Sequence, residues 1–359
     1  MNTFGKNIRI SLFGESHGNC IGITIDGLPS GITLDEDLIK TNLKKRHGLK
    51  QISTKRNEQD KYKIISGYFQ NKTTGAPLTF IIENNDIDSS SYAEGVIRPN
   101  HSDYPYYVKY NGNNDYRGGG HSSGRLTALL VIAGSICEQI LMKENIFVYS
   151  HLSQVGNIKS AEINDADKLY LINNFNEDQF MIEHEKESEV LNYVQKLMDN
   201  NDSASSKLET LIKGLPVGLG EPFFDSFESI LAHLLFSIPG LKSVSFGDDD
   251  LIYKTGLEQT DEIKYKNDDV EVLTNHQGGI NGGISNGSIV KFSTTFKAPA
   301  STAAPKNSIN ILNKENIKVQ TYGRHDPIIG IKALQVVTSA TYIVCLDMLM
   351  ELKKYEYFR

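Results

Sequence analysis

Apolar and polar residues alternate over residues 8–12, 63–68, 78–83, 242–247 and 287–294, and apolar residues recur at helical spacing over 125–143, 187–198 and 332–353. Alternation puts side chains on opposite faces of a strand, whereas recurrence at i, i+3, i+4 and i+7 lines one face of a helix. The pattern predicts strands over the first set and helices over the second, and an α/β or α+β sandwich fits better than an all-α or all-β fold. TIDGLPSG at 24–31 and LIKGLPVG at 211–218 share a GLPxG turn after a short apolar run. A helix is expected after each. Thr33 and Glu36 form a capping box ahead of Leu38, Ile39, Asn42 and Leu43, while Ile230, Leu231, Leu234 and Leu235 mark one face of a helix that ends before Pro239. This repetition suggests two similar halves within one domain. The polar, acidic stretches 154–187 and 255–270 are expected to be surface excursions.

Composition narrows the class. The chain has 359 residues, 39% of them hydrophobic, enough for a large core, and no run approaches the roughly 18 consecutive apolar residues of a membrane span. Its first residues, MNTFGKNIRI, lack the apolar region and cleavage site of a secretory signal, so a cytoplasmic location is expected. Three cysteines, Cys20, Cys137 and Cys345, without C-x-x-C spacing, speak against a disulfide framework or zinc ribbon and read as small buried hydrophobes. A formal net charge of -7 disfavours nucleic-acid binding. An anionic ligand must therefore meet a local basic cluster.

Five segments offer such chemistry. FGESHG at 13–18 follows a strand and exposes Glu15, Ser16 and His17 in a turn flanked by glycine. A basic run, Lys44, Lys45, Arg46, His47, Lys50, Lys55 and Arg56, can supply donors to phosphate or carboxylate. RPNHSDYPYYVKYNGNNDYRGGGHSSGRLT at 98–127 crowds Arg98, His101, Asp103, Lys109, Arg117, His121 and Arg125 around three glycines, and Ser122 and Ser123 stand where a helix N-cap is expected. Such a turn opening into a helix suits phosphate, although neither a Walker loop nor a Rossmann fingerprint is present. GGINGGISNG at 278–287 leads into a strand and then FKAPAS at 296–301, which brings Lys297 and Ser301. GRHDP at 323–327 sets Arg324, His325 and Asp326 before the last helix, a compact unit for acid–base work and anion binding.

In this order, and with SGYFQNKTTGAPL at 66–78 and NHQGGINGGIS at 275–285, the five segments resemble the chorismate synthase family across nearly the whole chain. The resemblance implies a carbon–oxygen lyase that converts 5-enolpyruvylshikimate 3-phosphate to chorismate and phosphate by anti-1,4-elimination in aromatic amino-acid biosynthesis. The reaction is redox neutral yet requires reduced FMN, and some members reduce their flavin with NADPH. The expected fold is α+β, a single-domain β-α-β sandwich with internal pseudo-duplication over residues 1–359, assembled as a homotetramer.

By match to the family's motifs, His17 would be an acid beside the leaving phosphate, His101 would protonate the flavin, and Asp326 would take the proton that the flavin relays. Flavin contacts carried over are His121, Ser122, Ser123, Pro239, Gly240, Gly282, Lys297, Ala298, Pro299, Ala300, Ser301 and Arg324, while Ser16, Lys45, Gln51 and Arg125 would meet the substrate. The chain departs from the family at three of these: Lys45, Gln51 and His121 each stand where the family has Arg, which loses a bidentate fork. Lys50 can restore charge next to Gln51. The rival reading is a flavin-binding oxidoreductase with net electron transfer, which needs a nicotinamide site that no fingerprint supplies. A phosphate-binding protein without catalysis would not depend on His17, His101 or Asp326. A metal site is not expected, since the histidines show no H-x-x-x-H or H-E-x-x-H spacing.

Overall fold

The computed structural model describes residues 2–49, 60–85, 89–90, 92–176, 179–320 and 326–356. The strands are β1 (Thr3–Phe4), β2 (Arg9–Gly14), β3 (Cys20–Asp26), β4 (Tyr62–Ser66), β5 (Leu78–Glu83), β6 (Phe147–Val155), β7 (Ile158–Lys159), β8 (Ser206–Lys213), β9 (Leu241–Phe246) and β10 (Val290–Phe296), besides four small two-stranded ribbons. They form two five-stranded sheets, in the orders β1-β2-β3-β5-β4 and β9-β10-β8-β6-β7, with every pairing antiparallel. The helices are α1 (Glu36–Arg46), α2 (Asp103–Lys109), α3 (Thr127–Leu141), α4 (Asp165–Asn173), α5 (His184–Asp199), α6 (Phe227–Leu235) and α7 (Gly330–Glu356). The fold is α+β.

The two sheets follow one plan. The order β2-β3-β5-β4 in the first is matched by β6-β8-β10-β9 in the second. Each GLPxG turn also closes on the start of its own sheet: a Cβ at Gly27 would lie 1.8 Å from the Asn7 carbonyl oxygen, and one at Gly214 would lie 2.1 Å from that of Asn145. Both glycines have positive φ, so the repeated glycine answers a repeated geometric demand. Helix α3 packs against β3, α7 against β6 and β8, and the two helices pack on one another.

Both are apolar enough by length and composition to pass for membrane spans, yet 72% and 78% of the relevant windows are buried inside the protein. Val336, Val337, Ile343, Val344 and Leu346 of α7 all lie in the core, each side chain contributing about 1.5–3 kcal/mol by burial. A buried charge, Asp347, interrupts the apolar face of this helix. The Asp347 carboxylate accepts from the backbone N–H groups of Lys6 at 3.0 Å, Asn7 at 2.5 Å and Ile8 at 2.8 Å, which fastens the strand leading to FGESHG onto the last helix.

Two expectations change. Helix α1 is capped by Asp35, whose Oδ1 accepts from Leu38 N at 2.9 Å; Thr33 lies too far upstream to cap and instead gives its carbonyl to Gln139. The stretch 154–187 is not merely a surface excursion, because it holds α4 and sends Phe180, Met181 and Ile182 inside. Glu187 makes that burial possible by accepting from Phe180 N at 2.6 Å and Met181 N at 2.9 Å.

Candidate active site

The turn 15–18 leaves β2 and is held from both sides. Asn84, just after β5, donates through Nδ2 to the carbonyls of Glu15 at 3.0 Å and Gly18 at 2.9 Å. On the other side Ser16 N donates to Gly120 O at 3.1 Å, and His121 Nδ1 meets Gly14 O at 2.7 Å. The 98–127 segment thus lies against FGESHG. Gly118 makes the closest approach: with φ of +59°, its absent Cβ would sit 2.3 Å from His17 Cε1 and 2.5 Å from Nδ1. Ser16 Oγ lies 3.0 Å from His17 Nδ1, and the Tyr92 ring meets His17 edge-on at 5.2 Å. His17 is consequently 8% exposed and closely confined.

Beside it stands a second histidine with its own carboxylate. His101 Nδ1 lies 2.7 Å from Asp103 Oδ1, and Arg98 donates to the same carboxylate through Nε and Nη2, each at 2.7 Å. Burial alone would raise the Asp103 carboxyl, but the hydrogen bonds from Arg98 and His101 hold it well below the usual carboxylate range. A carboxylate that stays ionised fixes Nδ1–H toward itself and leaves Nε2 to exchange a proton. Arg98 also lies over the Tyr92 ring at 5.1 Å, joining the His101 group to the wall beside His17.

These residues open on a cavity of about 1050 Å3. Its lining includes Ser16, His17, His101, His121, Ser122, Ser123, Arg125, Pro239, Gly240, Lys297, Pro299, Ala300, Ser301 and Asp326. The Asp326 carboxylate is paired with Lys332 Nζ at 2.7 and 2.9 Å. Ser123 accepts from Arg125 N at 3.2 Å and caps a short turn ahead of α3, one step before the helix that the sequence places there. Burial and the charge of Lys242 lower the Lys297 ammonium pKa.

Other expected contacts fall elsewhere. Lys45 is exposed and outside the lining, whereas Arg46 and His47 line the cavity. The helix explains it: Ile39, Asn42 and Leu43 form the buried face of α1, and a spacing of 3.6 carries that face to Arg46 and past Lys45. Gly282 belongs to the hairpin of Ile280–Asn281 and Ile284–Ser285, away from the lining. Its neighbour Gly283 serves backbone packing, since Gly283 O accepts from Phe227 N and would stand 2.1 Å from a Cβ on Gly220, whereas a Cβ at Gly282 would meet nothing within 4 Å. Ala298 also lies outside the lining, its N–H donating to Ser205 Oγ at 3.1 Å. Gln51 and Arg324, with Lys50, Lys55, Arg56 and His325, lie outside the described residues.

Asp60 belongs to none of the motifs that mark the other residues. It is 3% exposed and accepts from Arg46 Nη2 at 2.7 Å, from His47 Nε2 at 3.3 Å and from Arg125 Nη1. Arg46 Nε is buried without an acceptor, so this guanidinium retains a donor after all its contacts within the described protein are made.

The arrangement is that of an acid–base enzyme for an anionic substrate: two confined histidines, a carboxylate and arginine donors surround one cavity. The lining also fits a flat phosphorylated cofactor beside that substrate. The volume reaches the top of the roughly 300–1,000 Å3 range of small-molecule sites, and Gly118, Gly119 and Gly240 are among the residues that line it. Comparison with known proteins makes the class particular. The family model for chorismate synthase matches residues 8–350. The chorismate synthases of Thermococcus kodakarensis and Thermococcus gammatolerans are 37% and 36% identical over 355 residues, each alignment covering 98% of both chains. A crystal structure of chorismate synthase matches with a TM-score of 0.76 at 22% identity, covering 99% of this chain and 98% of that one, and supports the fold. The chain belongs to the chorismate synthase family. It is a carbon–oxygen lyase of the shikimate pathway, in a family that uses reduced flavin.

Proposed function

We propose that the cavity holds reduced FMN and 5-enolpyruvylshikimate 3-phosphate together, and that His17, His101 and Asp326 are its proton-handling groups. The observation that carries this reading is their shared lining of one cavity with Arg46 and Arg125. In the overall reaction the C–O bond to phosphate and a C6–H bond break, a new double bond forms, and no net oxidation occurs. Reduced FMN, when bound, lends electron density to the substrate ring and recovers it.

His17 donates a proton to the departing phosphate, its ring held by Ser16 and by the close approach of Gly118. His101 exchanges a proton at Nε2 while Asp103 keeps Nδ1 occupied. Asp326 accepts a proton at a carboxylate oxygen, with Lys332 holding the charge that remains. Arg46 and Arg125 bind oxyanions of the substrate, and His121, Ser122, Ser123, Pro239, Gly240, Lys297, Pro299, Ala300 and Ser301 form the flavin side. This division leaves Lys45 and Gly282 without a role inside this chain's own cavity.

The chain is read as a single domain of 359 residues, a reading supported by a family match that runs from residue 8 to residue 350. It is also read as a β-α-β sandwich with internal duplication, supported by the common strand order and the paired glycine turns. A homotetramer in the cytoplasm is proposed as well. Support for assembly comes from Phe223, Phe224 and Leu257, which are 87–90% exposed, and not from α7, whose apolar residues are taken up by the core.

The test is anaerobic incubation with the substrate and photoreduced FMN, with and without NADPH, following phosphate, chorismate and flavin absorbance. Phosphate and chorismate in equal amounts, with no net flavin oxidation, are expected. Absence of product refutes the reading. Turnover from oxidised FMN that requires NADPH identifies a chain that reduces its own flavin.

A further inference from the structure

Asp60 stands just before β4 and is absent from the cavity lining, yet Arg46, His47 and Arg125, the three described side chains it pairs with, all line it. Its Oδ2 accepts from Arg46 and His47, and its Oδ1 from Arg125, so one carboxylate fixes groups delivered by α1 and by the turn before α3. Each guanidinium has a second tether. Arg46 Nη1 reaches Thr127 Oγ1 at 3.5 Å, and Arg125 Nε donates to Asn84 Oδ1 at 3.2 Å. Asn84 in turn holds the turn that carries His17. Among the described residues the two guanidiniums share this one carboxylate. The unused Nε donor of Arg46 marks a group whose hydrogen bonding the protein does not complete.

We propose that Asp60 is the positioning residue for oxyanion binding: from behind the cavity wall it sets Arg46 and Arg125 at a fixed spacing to receive an oxyanion of the substrate, a carboxylate or the phosphate. The inference rests on the reading of the two arginines as substrate contacts. Bidentate recognition depends on the direction of the guanidinium fork as well as its charge, so a neutral side chain at position 60 preserves volume but loses aim. Burial alone would raise the Asp60 carboxyl, but the hydrogen bond from His47 and the charges of Arg46 and Arg125 keep it far below the usual carboxylate range. It therefore remains an anion throughout the working pH range.

The experiment compares Asp60→Asn, Arg46→Met and the double variant in the holoenzyme, measuring KM and kcat for the substrate, FMN affinity and thermal stability. Asp60→Asn is expected to raise KM about tenfold or more, while changing kcat and FMN affinity by less than about threefold. Because Asp60 acts through Arg46 in part, the same change made in the Arg46→Met background raises KM by less than half as much on a logarithmic scale. A merely structural role predicts lower stability with KM unchanged, and that result overturns the proposal. If Asp60→Asn does not fold, Asp60→Glu keeps the charge and displaces it by one methylene. It must raise KM about threefold, and an unchanged KM is again decisive against positioning. Unchanged KM in Arg46→Met removes the oxyanion reading itself; a raised KM there with a neutral Asp60→Asn removes only the role of Asp60.

Discussion

Replacing Gly118 by Ala tests whether His17 acts through exact placement. The new methyl would stand 2.3 Å from His17 Cε1 and 2.9 Å from Ser16 Oγ, where carbon atoms ordinarily rest about 3.5–4.0 Å apart. The imidazole must retreat by about 1 Å, or the turn must open. Ala in a left-handed conformation adds about 1–2 kcal/mol of strain. That strain lowers Tm by a few degrees, on the order of 4 °C, whereas a displacement of about 1 Å in a reacting group costs about 100-fold in rate, or roughly 2.7 kcal/mol of barrier. Activity should therefore fall far more than stability. The assay is single-turnover phosphate release under anaerobic conditions with reduced FMN, alongside thermal melts. Gly256→Ala is the control, since no atom lies within 4 Å of a Cβ there and its φ is not positive. A Gly118→Ala enzyme that stays folded and keeps its rate within about twofold of the parent would show that the position of His17 is not limiting, and the assignment of His17 as the acid would fail with it.

Two further outcomes concern stability and access. The Glu209 carboxyl would be raised by burial, but His151 at 2.8 Å and Lys168 at 2.8 Å draw it down to about 2 from an ordinary 4.5. A depressed folded-state pKa contributes stability that is complete above the unfolded value and disappears as pH falls through the folded one, so the advantage of the parent over Glu209→Gln, on the order of 3 kcal/mol, should shrink between about pH 4.5 and pH 2. Denaturant midpoints at several pH values check this, and a gap independent of pH contradicts it. Burial also pushes the Cys137 and Cys345 thiols well above their usual value, while Cys20 is partly exposed. A thiol reagent should label at most one cysteine in the native protein and all three in denaturant; rapid native labelling of three would place α3 and α7 outside the core.

The periodic parts of the fold were legible because burial writes itself into spacing. Strands β4, β5, β9 and β10 and helices α3, α5 and α7 fall within a few residues of where alternation or helical recurrence puts them. Ser16, His17, His101, His121 and Arg125 come together in one cavity lining, and they were legible as candidates because polar groups cluster with glycines in their turns. Gly282 lies outside the cavity lining, and a glycine cluster can serve a ligand or a tight backbone crossing, which the sequence does not distinguish. Asp60 was invisible, being one acid at the end of a charged run, with nothing local to say that distant cations would enclose it. Arg46 stands in the basic run beside Lys45, and charge alone does not rank the two; the helical period through Ile39, Asn42 and Leu43 points to Arg46.

The shared plan of the two sheets also explains where chemistry could arise. In the first sheet β2 turns straight into β3, and that short turn carries Ser16 and His17. In the second the corresponding route from β6 to β8 passes through α4 and α5, and residues of this excursion line a different cavity, where Asp165 pairs with Lys291 and Lys168 with Glu209. Those charges are paired with one another, whereas the first cavity is lined by the cationic side chains Arg46, Arg98, Arg125, Lys297 and Lys332 and by Asp326. The cavity is lined from both halves, because the second supplies Pro239, Gly240, Lys297 and Asp326 to the lining that also holds His17 and His101. The Asp347 carboxylate, by gripping the backbone of Lys6, Asn7 and Ile8 from the last helix, keeps the two contributions in register. The turn that bears His17, just after β2, and the segment that bears Asp326, just ahead of α7, are thus tied together by the contact between the chain leading into β2 and the last helix.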